Sequence, residues 1–410
     1  MHKIVFILGT RPEAIKCAPV INRMKEDKRF HAIVVSTGQH REMLDTTLAE
    51  FGIKPDIDLN VMQPQQTLSQ VTHKIIAALT ARLDDLAADA VVVHGDTAST
   101  LAGALAAFQH RIPVIHLEAG LRSGNISSPF PEEANRRLVS QITDLHLAPT
   151  TRSSANLIRE GVCESRVKIT GNTVVDALRW AAANAPTFDD NALVDLISDH
   201  RRIIVASAHR RESWGAPMRE IAAALVEIAR NDGVHIVVPL HKNLAVRDVM
   251  VPVLSGIPNI TLVNPLPYRS FCRLMLRADI IISDSSGAEE EGPSLGKPTL
   301  VLRDITERPE AIEAGTAKLV GRNAARIVRE AATLLRDPEE YRRMARPVDS
   351  YGDGNATGRV IDAINEFFGL EEMGTNDIRL ANNTTPRQID YSAVTIVPSS
   401  SSALVRYQPR

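Results

Sequence analysis

Two carboxylates stand directly after apolar runs in the first half of the chain: Asp96 in Val93-His94-Gly95-Asp96-Thr97, and Glu118 in Leu117-Glu118-Ala119-Gly120. An acid at the end of a buried apolar segment is costly unless it is paired or used, so each is a candidate for proton transfer. Further on, Pro131-Glu132-Glu133-Ala134-Asn135-Arg136 adds Glu132. Its competing reading is an acid placed at a helix N-terminus by the dipole. Cations occupy comparable places. In Gly9-Thr10-Arg11-Pro12-Glu13-Ala14-Ile15-Lys16, Pro12 suits the first turn of a helix, Gly9 permits close backbone approach, and Arg11 and Lys16 could meet an anion. A solvated helix start is the plainer alternative. In the second half, Ser207-Ala208-His209-Arg210 puts His209 in a loop where acid–base work competes with a structural role. Ser285, Ser286 and Gly287 offer small residues and amide N–H groups at a helix start, which is an anion site. A glutamate further along that helix can accept two ribose hydroxyls, and Arg303 and Arg308 add two cations nearby.

These groups need a scaffold that brings strand ends together. Lys3–Leu8, His31–Ser36, Ala90–His94, Pro113–Leu117 and Asp144–Ala148 read as short apolar strands. Between them Leu68, Val71, Ile75, Leu79 and Leu83 mark one stripe of a helix. The pattern restarts with Arg202–Ala206, Val234–Pro239, Asn259–Val263, Asp279–Ser283 and Pro298–Leu302. Strands apolar on both faces and joined by helices predict parallel sheets, and in such folds ligands bind at the C-terminal strand ends. The expected architecture is therefore α/β, with two Rossmann-like doubly wound domains facing a cleft. The expected division is 1–184, a polar linker at 185–200, 201–370, and a weakly ordered polar tail at 371–410.

A chain of 410 residues exceeds what one core usually serves, which agrees with two domains. With 47 Lys+Arg against 49 Asp+Glu, the balance gives no reason to expect a nucleic-acid or membrane-surface partner, while leaving room for a small anion. Cys17, Cys163 and Cys272 are too scattered for a disulfide framework or a cysteine-based zinc site. The apolar run from Ile4 to Leu8 is too short for a signal-peptide core, so a cytoplasmic location is expected. Gly352, Gly354 and Gly358 have the wrong spacing for a dinucleotide fingerprint and read as a turn before a last helix at Arg359–Phe368. Gly292-Pro293-Ser294-Leu295-Gly296-Lys297-Pro298 fails as a phosphate loop in spacing and in Pro298. No cofactor and no metal are expected.

The ordered series G-T-R-P-E-A-I-K (9–16), Q-H-R-E-M-L-D (39–45), V-H-G-D-T (93–97), E-A-G-L-R (118–122), F-P-E-E-A-N-R (130–136), G-N-T-V-V-D-A-L (171–178), H-R-R-E-S (209–213), P-S-L-G-K-P (293–298) and R-D-I-T-E-R-P-E (303–310) closely resembles the bacterial non-hydrolysing UDP-N-acetylglucosamine 2-epimerases. The resemblance spans about residues 3–368. It implies the glycosyltransferase-B arrangement, a homodimer, and inversion at C2 of a UDP-N-acetylhexosamine through a 2-acetamidoglucal, with no redox cofactor. It makes Asp96, Glu118 and Glu132 the acid–base set, without deciding which serves which sugar face, and gives His209 a role at the departing UDP. Arg11, Lys16, Ser285, Ser286, Gly287 and Arg308 would hold the diphosphate and nucleotide, Glu291 the ribose and Phe271 the uracil. Gln39, Gln66, Glu133 and His241 match a second, activating UDP-sugar site. The sequence departs from the family at Gln65, where an arginine is usual. At Ser286 and Glu289, glycine and glutamine are usual, and at Leu244 proline is. Competing readings are a hydrolysing relative, a glycosyltransferase of the same fold and a nucleotide-sugar-binding regulator.

Overall fold

In the computed structural model, residues 1–370 are described apart from 64–65, 187, 189–190, 195 and 197–198. The predicted tail at 371–410 and Gln65 lie outside the described residues. Strands β1 (His2–Leu8), β2 (Phe30–Ser36), β3 (Ile57–Asp58), β4 (Ala90–His94), β5 (Val114–Leu117), β6 (Leu145–Ala148) and β7 (Val167–Ile169) form one parallel sheet, in the order β3-β2-β1-β4-β5-β6-β7. A second parallel sheet contains β8 (Arg202–Ser207), β9 (Val234–Pro239), β10 (Ile260–Val263), β11 (Ile280–Ser283), β12 (Thr299–Val301) and β13 (Ala317–Leu319), in the order β10-β9-β8-β11-β12-β13. Both sheets are doubly wound, as the pattern predicts. Their strand order reverses between β1 and β4 and between β8 and β11, where crevices open at the carboxyl ends. The edge strands β3, β7 and β13 escape the sequence reading because two or three residues offer no alternation to detect.

The runs are apolar throughout because each strand faces helices on both sides. Along β1, Ile4, Phe6 and Leu8 enter one apolar cluster while Val5 and Ile7 enter another. Burying each such side chain is worth about 1.5–3 kcal/mol. The first cluster does not stop at the domain boundary, since Ile203 and Val205 of β8 belong to it as well. The link runs through two packed helices, Thr173–Ala183 from the first domain and Tyr268–Arg277 from the second. No helix among the described residues is long and apolar enough to cross a membrane.

The last helix, Ala356–Phe367, corrects the expected division. It does not stay with the second sheet but packs on the Arg11–Lys25 and Thr173–Ala183 helices of the first domain. Val360, Ile361 and Ile364 form its buried face, and all three join the cluster that holds Ile4 and Phe6. The chain crosses back beside Asn172, whose backbone N–H donates to the Tyr351 carbonyl at 2.6 Å. A Cβ on Gly352 would stand 3.3 Å from the Asn172 nitrogen, and the residue has φ 133°. A glycine is required there by close backbone approach, which accounts for part of the false nucleotide fingerprint.

Candidate active site

The loop after β1 is built around a buried acid. Glu13 Oε2 accepts the N–H groups of Gly9 at 2.6 Å and Thr10 at 2.7 Å, while Oε1 accepts the hydroxyls of Thr97 at 2.5 Å and Thr100 at 3.1 Å. One carboxylate thereby fastens the β1 loop to the β4 loop, which carries Asp96. Burial pushes the Glu13 carboxyl up, and the four donors oppose that shift. Gly9 has no alternative, because a Cβ there would come within 2.0 Å of Ser99 Oγ. Arg11, at the first position of the following helix, has no ion-pair or hydrogen-bond partner among the described residues. Its charge reaches Glu291 and His241 of the second domain.

Asp96 and Glu132 are brought together. The Asp96 carboxylate is held by Arg136, Nε to Oδ2 at 3.2 Å, and its carbonyl accepts from Asn135 at 2.8 Å. Glu132 opens the Glu132–Gln141 helix, and its Oε2 is buried with no hydrogen-bond partner among the described residues. Burial raises this carboxyl above the ordinary range and the Asp96 charge adds to the effect, against weaker pulls from its own backbone N–H, Arg210 and Arg136. An acid with one unpaired oxygen that holds its proton more tightly than usual is suited to proton transfer, beyond the dipole role weighed from sequence.

Glu118, Lys16 and Arg308 are brought together as well. They meet in a buried network across the domain junction instead of standing free toward a ligand. Lys16 Nζ pairs with Glu118 and lies 2.7 Å from Glu290 Oε2. The Arg308 guanidinium reaches Glu290 at 2.6 Å, Glu118 at 3.1 Å, and Glu307. Asn172, the N-cap of the Thr173–Ala183 helix, donates to Glu118 at 2.6 Å and to Glu290 at 3.0 Å. Burial alone would raise the Glu118 carboxyl, but Lys16, His94 and Arg308 outweigh it and hold the group well below the usual carboxylate range. Buried charges must be paired, and these strand-end charges find one another where the two domains touch. Glu118 also has φ 62°, a left-handed backbone that costs a non-glycine residue about 1–3 kcal/mol and that the network holds in place.

In the second domain, Ser285 is the N-cap of the Ser286–Ser294 helix, with no side-chain cap hydrogen bond of its own. Glu289, which from sequence adds a negative charge beside that anion site, is held instead by Arg303 at 3.3 Å and the Thr306 hydroxyl at 2.6 Å. His209 follows β8 with its ring 38% exposed, so the side chain stays accessible. Phe271 is half-buried against the shared apolar cluster. Glu291 is buried and accepts the Tyr268 phenol at 2.8 Å. Glu50 of the first domain accepts the amides of Tyr268 at 2.7 Å and Arg269 at 3.1 Å, tying that helix start to its neighbour.

Glu291 carries a pH signature. Burial, with the Glu290 charge adding, pushes its carboxyl up to about 7, against the Tyr268 hydrogen bond. The folded protein keeps a proton that the unfolded chain releases near the ordinary glutamate value of 4.5. Stability is therefore full below that value and falls as pH rises toward 7. The Glu291→Gln variant should lack this fall and gain about 3 kcal/mol over the wild type above pH 7. Parallel denaturant titrations from pH 4 to 8 check it; superimposable slopes for the two proteins would refute the assignment.

The four residues matched to a second site each have partners of their own. Gln39 Oε1 accepts the Ser99 hydroxyl at 2.8 Å, and Gln66 caps its own turn through the Gln63 amide at 2.6 Å. Glu133 is enclosed by Arg136 and Arg137, each at 3.2 Å. His241 stacks on His209 with ring centroids 5.4 Å apart. Arg136 thereby serves both Asp96 and Glu133. Glu13, Arg136, Asn172, Asp284 and Glu290 were not assigned roles from sequence. The signal for Asn172 was its place as a capping residue before a helix; for the acids it was their lying inside the motifs, which does not reveal partners.

Comparison with known proteins agrees with this architecture. The family model described as UDP-N-acetylglucosamine 2-epimerase matches residues 22–365. The UDP-N-acetylglucosamine 2-epimerase of Escherichia coli K12 is 47% identical over 368 residues, covering 88% of this chain and 98% of that protein. The crystal structure of UDP-GlcNAc 2-epimerase from Neisseria meningitidis bound to UDP-GlcNAc is 44% identical with a TM-score of 0.84, covering 89% of this chain and all of that one. The S. aureus MnaA–UDP co-structure is 42% identical with a TM-score of 0.86, covering 90% of this chain and 98% of that one. The chain belongs to the UDP-N-acetylglucosamine 2-epimerase family.

Proposed function

We propose that this chain interconverts UDP-GlcNAc and UDP-ManNAc without hydrolysis. A carboxylate takes the C2 proton while the bond from C1 to the UDP oxygen breaks. The C–H electron pair becomes the C1–C2 double bond of 2-acetamidoglucal, and UDP leaves with the C1–O pair. A carboxylic acid on the other face returns a proton to C2 as the phosphate oxygen bonds C1 again, so no electrons are gained or lost. The observation that carries this reading is the Glu132 carboxyl, raised by burial and set beside Asp96, with its Oε2 left without a partner among the described residues. Family membership and the UDP-sugar complexes of the N. meningitidis relative support the substrate class.

In this reading Glu132, with Asp96 beside it, works on one face and Glu118 on the other. A diphosphate arriving near Lys16 and Arg308 shares their charge, which raises the proton affinity of Glu118 toward useful basicity. Arg11 and the first amides of the Ser286–Ser294 helix, with Ser285 and Gly287, take the departing diphosphate, which needs charge stabilisation as it forms. His209 faces the same group, Glu291 accepts the ribose hydroxyls and Phe271 borders the uracil. A homodimer belongs to the same proposal and is measured by light scattering. Incubation with UDP-GlcNAc in deuterated water should yield UDP-ManNAc labelled at C2. Free ManNAc with UDP would assign the protein to the hydrolysing class, and tight UDP-sugar binding with neither exchange nor product would make it a binding protein.

A further inference from the structure

Asp284 sits at the carboxyl end of β11, one residue before the N-cap of the helix whose amides are proposed to hold the diphosphate. It is 0% exposed. A carboxylate in that position opposes anion binding unless other groups neutralise it. All of its side-chain partners come from the loop after β8. The His209 N–H donates to its two oxygens at 3.0 and 2.9 Å, the Arg210 N–H at 3.0 Å and the Ser213 hydroxyl at 2.9 Å. His209 Nδ1 lies 3.4 Å from Oδ1. The loop is gripped a second time by Trp214, whose indole N–H donates to the His209 carbonyl at 3.1 Å. The ring itself is bounded on one face by His241, whose ring is nearly parallel to it at 12°. Nδ1 is the ring nitrogen facing Asp284, at 3.4 Å, longer than an ordinary hydrogen bond, and Nε2 has no partner among the described residues.

We propose that Asp284 is a positioning residue for His209. Its carboxylate fixes the backbone at 209–210, selects the tautomer protonated on Nδ1, and leaves Nε2 to face the crevice. A carboxylate at Nδ1 that orients a working imidazole without itself reacting is a general way to fix which nitrogen works. What His209 does there rests on the epimerase reading; the tautomer does not.

The test is a double-mutant cycle. Asp284→Asn should lower kcat by roughly 10²-fold. UDP affinity should be unchanged or tighter, because a like charge near the diphosphate is removed. In a His209→Asn background, the same substitution should change the rate by less than about threefold. Additive losses, or weakened UDP binding in the single variant, would show a merely structural carboxylate and overturn the proposal. Independently of any variant, the ¹⁵N shifts of the His209 ring in the unaltered protein should report a proton on Nδ1. The Nε2-protonated tautomer would overturn it even if Asp284→Asn fails to fold. If the wild type forms no UDP-ManNAc, the epimerase reading falls while the tautomer still decides this one.

Discussion

Replacing Glu132 by Gln is expected to slow turnover by about 10²–10⁴-fold, roughly 3–5 kcal/mol of transition-state stabilisation, with UDP affinity largely kept. Glutamine keeps the shape and the helix start but cannot take or give the C2 proton. The size of the effect follows from the setting. Asp96 stands beside Glu132 but is itself engaged by Arg136 at 3.2 Å, so it is poorly placed to take over. The variant also loses the only part of Glu132 whose chemistry burial has tuned, its raised carboxyl. Steady-state rates and UDP titration on the same preparation separate the two effects. A loss under tenfold would remove Glu132 from proton transfer and leave its N-terminal position as the whole explanation.

The second large effect is on stability. Arg308→Met should destabilise the fold by about 3–5 kcal/mol, because removing one partner from a buried ionic network strands the others. Arg308 is 4% exposed and serves three carboxylates, those of Glu290, Glu118 and Glu307. Lys16 remains for Glu118 and Glu290, and Arg303 remains for Glu307 at 2.6 Å. Arg303 also holds Glu289, so four acids would then be left with two cations in a place water scarcely reaches. Adding Glu290→Gln should recover part of the loss, since a neutral amide can stay buried at less cost. Denaturant unfolding of the single and double variants measures both. A single-variant loss within 1 kcal/mol would mean that water screens the network, as it does ordinary surface pairs.

The two series of apolar runs were legible because both faces of each sheet are covered, so strands of four to seven residues stood out against helical stripes. Strand-end loops then located the site, since doubly wound sheets bind ligands there. Local chemistry was also readable: Pro12 at a helix start, Ser285 as an N-cap and the failure of the Gly352 turn as a fingerprint are properties of neighbouring residues. Pairing was not readable. Lys16 and Glu118 are 102 positions apart, and Arg308 and Glu118 are 190 apart. Nothing in the local pattern says that a cation suited to an anionic ligand also closes an ion pair with a candidate base. The return of the last helix to the first domain was hidden for the same reason, because an amphipathic face does not name the surface it will cover.

That return changes the mechanics of the molecule. A chain that crosses once joins two bodies by a single tether, and they can swing, twist or drift apart. Here it crosses twice, between Ala183 and Arg202 and again between Met344 and Ala356. Two tethers define a line, and the easiest relative motion left is rotation about it. The second tether runs alongside Asn172, whose side chain bridges Glu118 and Glu290. Any such rotation therefore pulls on the same residue that spans the two carboxylates.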